Sequence, residues 1–441
     1  MKRGILRLLL ITGVFSASAM AQINCASGTT ASTKLICEFP FSTGALTNDT
    51  ALGTGSNSAS ATASAQAVAA GLNIAMASQV TQLPIASASA GTVVVFKGGV
   101  PETFNNLGPI LTDRGQTIGR GRVFIGFSAS QFVFNNIDNK PLGNLPFAYS
   151  RPAYNGSGNL QSTTYTTEGI NLSFKLNQYV GIATVGVSKR IDVSAIIPYE
   201  RVSLGATTSS STNYVVDASN AYLFSYNLPP ITSSGTANGI GDAIANVKAM
   251  LPSGERASFA AELNVRIPSG DDQNFLGSGA WGINPYLVYS YLAKFSPHAK
   301  IGYQWNTKTE LTNLTSTAGT TTSAGAEKVL PGGLIYDIGA DYAVAKRMTL
   351  AADLLGSQFL NTPTVSIVNV ALTGVPSSVL QGQSPQTSTS VSTSYTVNNV
   401  SAGLKISPVG RLVLDGNVLI QINNNGLHSR PTPLVGISYK F

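Results

Sequence analysis

The sequence predicts an all-β protein, a transmembrane antiparallel β-barrel of about twelve strands and at most about fourteen. Segments with an apolar residue at every second position recur from Arg120 to the last residue, Phe441. The connections between these segments alternate between short and long. Only 11% of the residues are charged, against about 25% in typical soluble domains. Together these observations favour a barrel that faces lipid.

Residues 1–21 have the composition of a secretory signal peptide. Basic residues precede an apolar run from Leu8 to Phe15, and Ala19 and Ala21 are typical of a cleavage site. The alternative, a membrane anchor, is weaker because the apolar run is too short to span a bilayer comfortably. We therefore expect a mature chain that is exported from the cytoplasm of a Gram-negative-type bacterium.

Residues 22–115 differ in composition from the predicted barrel at 116–441, and we expect them to form a periplasmic or plug segment. Ala65–Leu83 has apolar residues at mixed helical spacing, which predicts a short amphipathic helix that Pro84 ends. A disordered linker is the alternative. Val93–Phe96 is a candidate short strand.

The chain has two cysteines, Cys25 and Cys37. Because an exported protein reaches an oxidising compartment, we expect a disulfide between them. A two-cysteine metal site is the weaker alternative, since no histidine or acidic cluster lies nearby. No cofactor is expected.

The connections between the predicted strands fall into two length classes. Short ones lie near residues 188–191, 252–256, 294–297, 345–347 and 407–410, and long ones near 136–168, 205–238, 268–279, 309–331, 360–392 and 424–431. Short turns at one end and long loops at the other are typical of outer-membrane barrels. A soluble β-sandwich or β-helix predicts neither this alternation nor a lipid-facing stripe.

Polar residues on the second face of these strands are predicted to line the lumen. A charge facing lipid would cost about 2–4 kcal/mol near the membrane centre, which forces charged residues inward. They either bridge the wall as ion pairs or line a solute path. The predicted pore-lining residues are Lys248, Glu262, Asn264, Arg266, Asp337, Asp341, Asp353, Lys405 and Asp415.

The sequence shows no catalytic constellation. It contains none of the common nucleophile, zinc-protease or nucleotide-binding motifs. His298 and His428 are predicted at opposite ends of the barrel, so they cannot share a metal. Asp271 and Asp272 could hold Ca²⁺, but a solvated loop tip is the better interpretation. Because an activated nucleophile and a base do not occur together, we expect no enzyme. Because the basic residues form no runs, we expect no nucleic-acid partner.

The last strand has two distinct faces. Val435, Ile437, Tyr439 and Phe441 alternate with Gly436, Ser438 and Lys440. A terminal aromatic residue on such a strand resembles the closing-strand signal of bacterial outer-membrane barrels, carried here by Tyr439 and Phe441. The resemblance implies insertion into outer-membrane lipid with the help of the barrel-assembly machinery.

Three glycine-rich motifs carry a family resemblance. Gly239-Ile-Gly-Asp242, Val265-Arg-Ile-Pro-Ser-Gly-Asp271 and Leu276-Gly-Ser-Gly279 resemble the outer-membrane channels of the phenol-degradation MetA-pathway family, which is distantly similar to FadL-like transporters. The resemblance covers roughly residues 118–441. It implies the passage of small aromatic or hydrophobic molecules. The motifs themselves are structural turns rather than catalytic signatures.

We therefore expect an outer-membrane channel for passive passage of small, hydrophobic or aromatic solutes. About twelve strands enclose a narrow lumen, which residues 22–115 are placed to restrict. The alternative is a structural or adhesive surface barrel whose role is carried by the Ser/Thr-rich loops 205–238, 309–331 and 360–392. The identity of the solute and the direction of flux are open at this point.

Overall fold

A computed structural model describes residues 23–24, 35, 72–85, 93–97, 100–104, 106–230, 232–252, 254, 256–309, 311, 314–315 and 328–441. Its main body is a closed antiparallel barrel of 12 strands, as predicted. The signal peptide, Cys25 and Cys37 lie outside the described residues, so their predicted roles stay predictions.

The wall strands follow one another around the barrel in chain order. They are β1 (Val123–Ile137), β2 (Leu160–Gly186), β3 (Ile191–Thr208), β4 (Thr232–Ile240 continued by Ala243–Met250), β5 (Ala257–Ile267), β6 (Gly282–Tyr291), β7 (Phe295–Tyr303), β8 (Leu334–Ala345), β9 (Met348–Asn369), β10 (Gln386–Val409), β11 (Leu412–Gln421) and β12 (Thr432–Lys440).

The barrel closes where β12 pairs with β1. The register runs from Leu434 opposite Ser130 to Lys440 opposite Phe124, and the backbone N–H of Phe441 donates to Val123 O at 2.8 Å. Closure leaves no free sheet edge in the wall, so the backbone hydrogen bonds are made between strands, as a lipid environment requires. The Tyr439 and Phe441 rings lie on the outer surface, 4.7 Å apart.

Burial alternates along the wall strands because successive side chains point to opposite faces. Along β3, Ile191, Val193 and Ile197 are exposed, whereas Asp192 and Glu200 are buried on the lumen side. The outer surface therefore carries apolar side chains and the inner surface most of the charges. This is the polarity expected of a membrane barrel.

The two ends of the barrel differ. Short turns at 187–190, 251–256, 292–294, 346–347 and 410–411 join strands at one end, and every remaining connection lies at the other. At that long-loop end Leu145–Tyr154 and Ser211–Asp217 pair with β2, and Tyr222–Leu228 pairs with Ser211–Asp217. The predicted alternation of short and long connections is present.

A helix over residues 72–80 lies inside the predicted helical stretch and ends before Pro84. Every residue from 72 to 80 is buried, so the helix is enclosed on all sides. The sequence predicts an amphipathic helix with one exposed face, and this helix has no exposed face. Its small residues allow close approach of the surrounding wall. No helix among the described residues has the length and apolar character needed to cross a membrane.

The remaining described elements are short. Val93–Lys97, which includes the predicted strand at 93–96, pairs with Val100–Phe104. Small strands also occur at Ile23–Asn24, Lys140–Pro141, Trp305–Asn306, Lys308–Thr309, Leu314–Thr315, Lys328–Val329 and Leu427–Ser429, and a 3-10 turn at Asp272–Asn274.

Candidate functional site

Residues 106–118, here called the inner segment, run through the lumen in the short-turn half of the barrel. Their backbone N–H groups bind side chains of the wall. Leu107 donates to Thr349 Oγ1 at 3.0 Å, Gly115 to Ser290 Oγ at 3.0 Å and Ile118 to Asp192 Oδ2 at 2.8 Å. The wall thus supplies partners for a segment that forms no sheet of its own.

Two of the predicted pore-lining lysines bind the inner segment directly. Lys405 Nζ donates to Pro109 O, and Lys248 Nζ donates to Arg114 O at 3.4 Å. Both lysines are buried. They hold the inner segment in place, which is a role that the sequence did not indicate.

Lys300 is the centre of the ionic network inside the barrel. Its Nζ lies 3.2 Å from Asp113 Oδ2 of the inner segment and 3.6 Å from Glu262 Oε2 of β5. The same Nζ lies 4.1 Å from the centroid of the Tyr286 ring. The other oxygen of Glu262 accepts from the Asn246 amide, which also donates to Asn264. Buried charges are stable only when paired in this way.

A second buried cluster surrounds His298. Its Nε2 lies 2.7 Å from Asp353 Oδ1, and its Nδ1 lies 3.7 Å from Asp341 Oδ2. Asp353 also accepts from Thr112 Oγ1 of the inner segment and from Ser401 Oγ. This cluster lies near the short-turn end, whereas His428 lies in the last long loop, where its Nδ1 is 3.2 Å from Asn135 Oδ1.

The long-loop half of the lumen is apolar and holds the helix 72–80, here called the inner helix. Leu72, Ile74, Met76 and Val80 belong to one buried cluster with inward side chains of β1, β2, β9 and β11. The Gln79 amide donates to Tyr395 Oη at 2.6 Å, and its oxygen accepts from the Leu427 backbone N–H at 2.6 Å. The inner helix is therefore anchored by polar contacts at its end.

A carboxylate joins two loops and the end of β9 at the long-loop end of the barrel. Asp138 accepts the backbone N–H of Val365 at 2.7 Å and that of Gly426 at 2.9 Å. Burial raises the pKa of Asp138, although both hydrogen bonds act in the opposite direction. These contacts fix the loops around the mouth of the barrel.

A cavity of about 190 Å³ lies between the inner helix and the inner segment. Gln79 and residues 81–85 bound it on one side, and Leu111 and Asp113 on the other. One side of its wall is mostly apolar, with Phe132, Phe134, Leu355, Phe359, Val397 and Leu419 beside the polar Ser357, Asn399, Gln421 and Ser429. The opposite side is mostly polar, with Asn246, Glu262, Asn264, Lys300, Gln304 and Asp337 beside Ile196, Ile244, Tyr286 and Ile335. The cavity therefore suits a small molecule with one apolar and one polar side.

The nine predicted pore-lining residues fall into five places. Glu262, Asn264 and Asp337 line the cavity, Lys248 and Lys405 bind the inner segment, Asp341 and Asp353 contact His298, Asp415 lies opposite Lys405 on the neighbouring strand, and Arg266 Nε lies 3.6 Å from Asp242. Their role in solute passage stays a prediction.

Sequence reasoning missed Lys300, Tyr286 and Asp113 as site residues. Lys300 lies on the inward phase of a predicted strand, so strand phase alone could have found it. Asp113 lies in a stretch without periodicity and gave no signal. No group of His, Cys, Asp and Glu among the described residues is arranged to hold a metal ion.

Gly302 on β7 leaves room for the Tyr286 ring beside Lys300. A Cβ at position 302 would overlap Tyr286 Cδ1 and Pro285 O. We expect Gly302→Ala to lower the stability of the barrel by about 1–3 kcal/mol, the usual range for overpacking. The temperature at which the folded band is lost in gel electrophoresis measures this effect.

Gly416→Ala on β11 is the matched control, because a Cβ there would meet no atom within 4 Å. An equal loss of stability in both variants would contradict the packing role of Gly302.

The chain matches a known protein family over most of the barrel. Residues 149–426, more than half of the chain, match the family described as "Putative MetA-pathway of phenol degradation". The chain belongs to this family. The resemblance found in the sequence is thereby confirmed. No curated protein matches the chain.

Several solved barrels are similar in fold at low identity. The COG4313 outer membrane channel from Pseudomonas putida F1 is 10% identical, with 75% of this chain and 100% of that chain covered and a TM-score of 0.42. A Pseudomonas aeruginosa FadL homologue is 10% identical, with 73% and 89% covered and a TM-score of 0.28. The CymD monoaromatic hydrocarbon channel is 9% identical, with 73% and 88% covered and a TM-score of 0.28.

A closed antiparallel barrel with an apolar outer surface is the architecture of an outer-membrane β-barrel. In such barrels the short turns are periplasmic and the long loops are extracellular. The inner segment therefore lies in the periplasmic half of the lumen, and the inner helix lies in the extracellular half.

Proposed function

We propose that this channel passes small solutes with one aromatic or other apolar ring and one polar group, by diffusion through the central cavity. The size of the cavity supports this proposal. A cavity of about 150 Å³ lined by apolar side chains holds benzene, and the cavity here measures about 190 Å³. The family description connects its members with phenol degradation, and phenol has both the size and the two-sided character that the cavity suits.

The two-sided lining supports recognition of such a molecule. Phe132, Phe134 and Phe359 offer ring contacts, which prefer offset or edge-to-face arrangements. On the opposite side, Asn264 and Gln304 offer amide groups to a hydroxyl group of the solute. A polar group that enters this cavity would therefore keep hydrogen bonds that it had in water, which lowers the cost of its desolvation.

The inner helix and the inner segment close the cavity toward opposite ends of the barrel in our proposal. Residues 22–115 would then act as a plug within a barrel that occupies residues 116–441. Passage requires movement of at least one of these two parts. The mechanism is passive, because a barrel without a coupled energy source can only equilibrate its solute.

A substitution that fills the cavity tests this function. Val397 lines the cavity, and we expect Val397→Trp to reduce the initial rate of uptake of labelled phenol by at least about tenfold, because the added indole occupies the volume that the solute needs. The measurement uses cells of a Gram-negative host that produce the protein, at matched amounts of folded barrel.

Val391→Trp is the control, because Val391 lies on the same strand but is exposed outside the cavity. If cells that produce the wild-type protein take up phenol no faster than cells without the protein, the transport proposal is overturned. That result would favour the structural or adhesive barrel.

A further inference from the structure

We propose that the Phe275 ring is an aromatic gate on the extracellular side of the solute path, and that Asp242 is the positioning residue that holds it there. The inference rests on the proposed function and assigns a role to the three motifs that carried the family resemblance. It concerns the connection between β5 and β6, residues 268–281.

The three motifs meet at the Asp242 carboxylate. Its Oδ2 accepts from the backbone N–H of Ser278 at 2.9 Å and from Ser278 Oγ at 2.5 Å, and its Oδ1 accepts from the Gly270 N–H at 3.2 Å. Arg266 Nε lies 3.6 Å from the same Oδ2. Asp242 and Ser278 are buried. One carboxylate thus fixes both ends of a loop that is folded into the barrel.

The glycines of the motifs make this fold possible. Gly270 and Gly277 lie against each other, and a Cβ on Gly270 would overlap Leu276 O. A Cβ on Gly277 would lie 2.6 Å from Asp242 Oδ1, too close for a carbon atom. The loop can therefore turn inward only with glycine at both positions.

The inward turn carries Phe275 into the lumen in a strained conformation. Its φ of 57° and ψ of 24° lie in the left-handed region, which a bulky residue adopts rarely. Its side chain is 1% exposed. Strain of this kind persists only where the surroundings impose it, and it accumulates at functional positions. Here the surroundings are the Asp242 contacts and the hydrogen bond from Leu35 N–H to Asn274 Oδ1 at 3.2 Å.

Phe275 is the first of four phenyl rings that lead to the cavity. Its ring meets Phe174 edge-on at 6.0 Å, Phe174 stacks on Phe134 at 4.9 Å, and Phe134 stacks on Phe132 at 6.1 Å. Phe134 and Phe132 line the cavity. A continuous row of rings therefore joins the extracellular loop to the cavity. An aromatic solute that replaces the contact between Phe275 and Phe174 would enter this row.

Removal of the gate is tested by the size selectivity of uptake. We expect Phe275→Ala to raise the uptake of a two-ring solute, 1-naphthol, relative to phenol by about two- to tenfold, the factor that one lost ring–ring contact represents. Asp242→Ala should change the ratio in the same direction. Phe224→Ala removes an exposed aromatic ring at the same end of the barrel, and it should leave the ratio unchanged.

The positioning role of Asp242 has a test that does not depend on transport. With Cys25 and Cys37 replaced by serine, Phe275→Cys should resist a membrane-impermeant thiol reagent, and the further change Asp242→Ala should make it reactive. Asp217→Asn is the control, since Asp217 accepts backbone N–H groups from Ser219 and Ala221 in a loop away from the lumen. It should leave the thiol protected.

The two measurements separate the possible failures. No phenol uptake by the wild-type protein would overturn the proposed function. Phenol uptake with an unchanged size ratio in folded Phe275→Ala would overturn the gate. A thiol that stays protected after Asp242→Ala would overturn the positioning role of Asp242.

Discussion

Replacement of Lys300 by methionine is expected to destabilise the barrel by about 3–5 kcal/mol, the usual result of removing one partner from a buried ion pair. Methionine fills similar space but leaves Asp113 and Glu262 buried without the cation that lies 3.2 Å and 3.6 Å from them. The substitution also removes the cation that lies over the Tyr286 ring. The temperature of the transition from folded to unfolded gel mobility measures the loss.

The same substitution should loosen the inner segment, because Lys300 joins it to the wall. We expect discrete channel openings of folded Lys300→Met protein in planar bilayers to be more frequent than those of the wild-type protein. The triple variant Lys300→Met, Glu262→Gln, Asp113→Asn removes both unpaired charges, so it should recover part of the stability.

Lys294→Met provides the matched control for Lys300. Lys294 also lies over an aromatic ring, with its Nζ 5.2 Å from the centroid of the Tyr342 ring, but it is exposed in a periplasmic turn. Exposed pairs contribute little to stability. Equal behaviour of the two methionine variants would contradict the central role of Lys300.

The wall of the barrel was predictable from the sequence because each of its strands faces lipid on one side. Lipid excludes charge strongly, so an alternation such as that of Ile191 and Val193 with Asp192 is easy to recognise. The number of strands and the position of the short turns follow from this pattern. The same physical contrast predicts Glu262, Asp337 and Asp341 on the inner face, and all three are buried in the structure.

The contents of the lumen were not predictable in the same way. The inner helix is buried on all sides. Its sequence therefore lacks the single apolar face that identifies a helix with one buried side. The inner segment forms hydrogen bonds with wall residues that are distant in the sequence, such as Leu107 with Thr349. The local sequence of the segment does not indicate these hydrogen bonds. The glycine motifs indicated turns, but the inward direction of Phe275 depends on the contacts of Asp242.

Deletion of residues 22–115 is expected to produce the largest change in conductance. It removes the inner helix and most of the inner segment, so single-channel conductance in planar bilayers should rise well above that of the full mature chain. The wall that remains carries more inward carboxylates than inward cations, so the opened pore should prefer cations. The carboxylates are Asp192, Glu200, Asp242, Glu262, Asp337, Asp341, Asp353 and Asp415, and the cations are Lys248, Arg266, Lys300, Lys405 and Lys440.

A shorter deletion, of residues 22–90, separates the two halves of the plug. It removes the inner helix but keeps the inner segment, whose contacts with Lys300, Lys405 and Asp192 all lie in the periplasmic half. If the inner segment is the tighter barrier to ions, conductance should stay low after the shorter deletion and rise only after the longer one. A full rise after the shorter deletion would assign the barrier to the inner helix, and unchanged conductance in both folded variants would exclude a plug in residues 22–115. The part whose removal opens the pore is the part that must move during passage. The two deletions therefore identify the movement that limits the rate of passage.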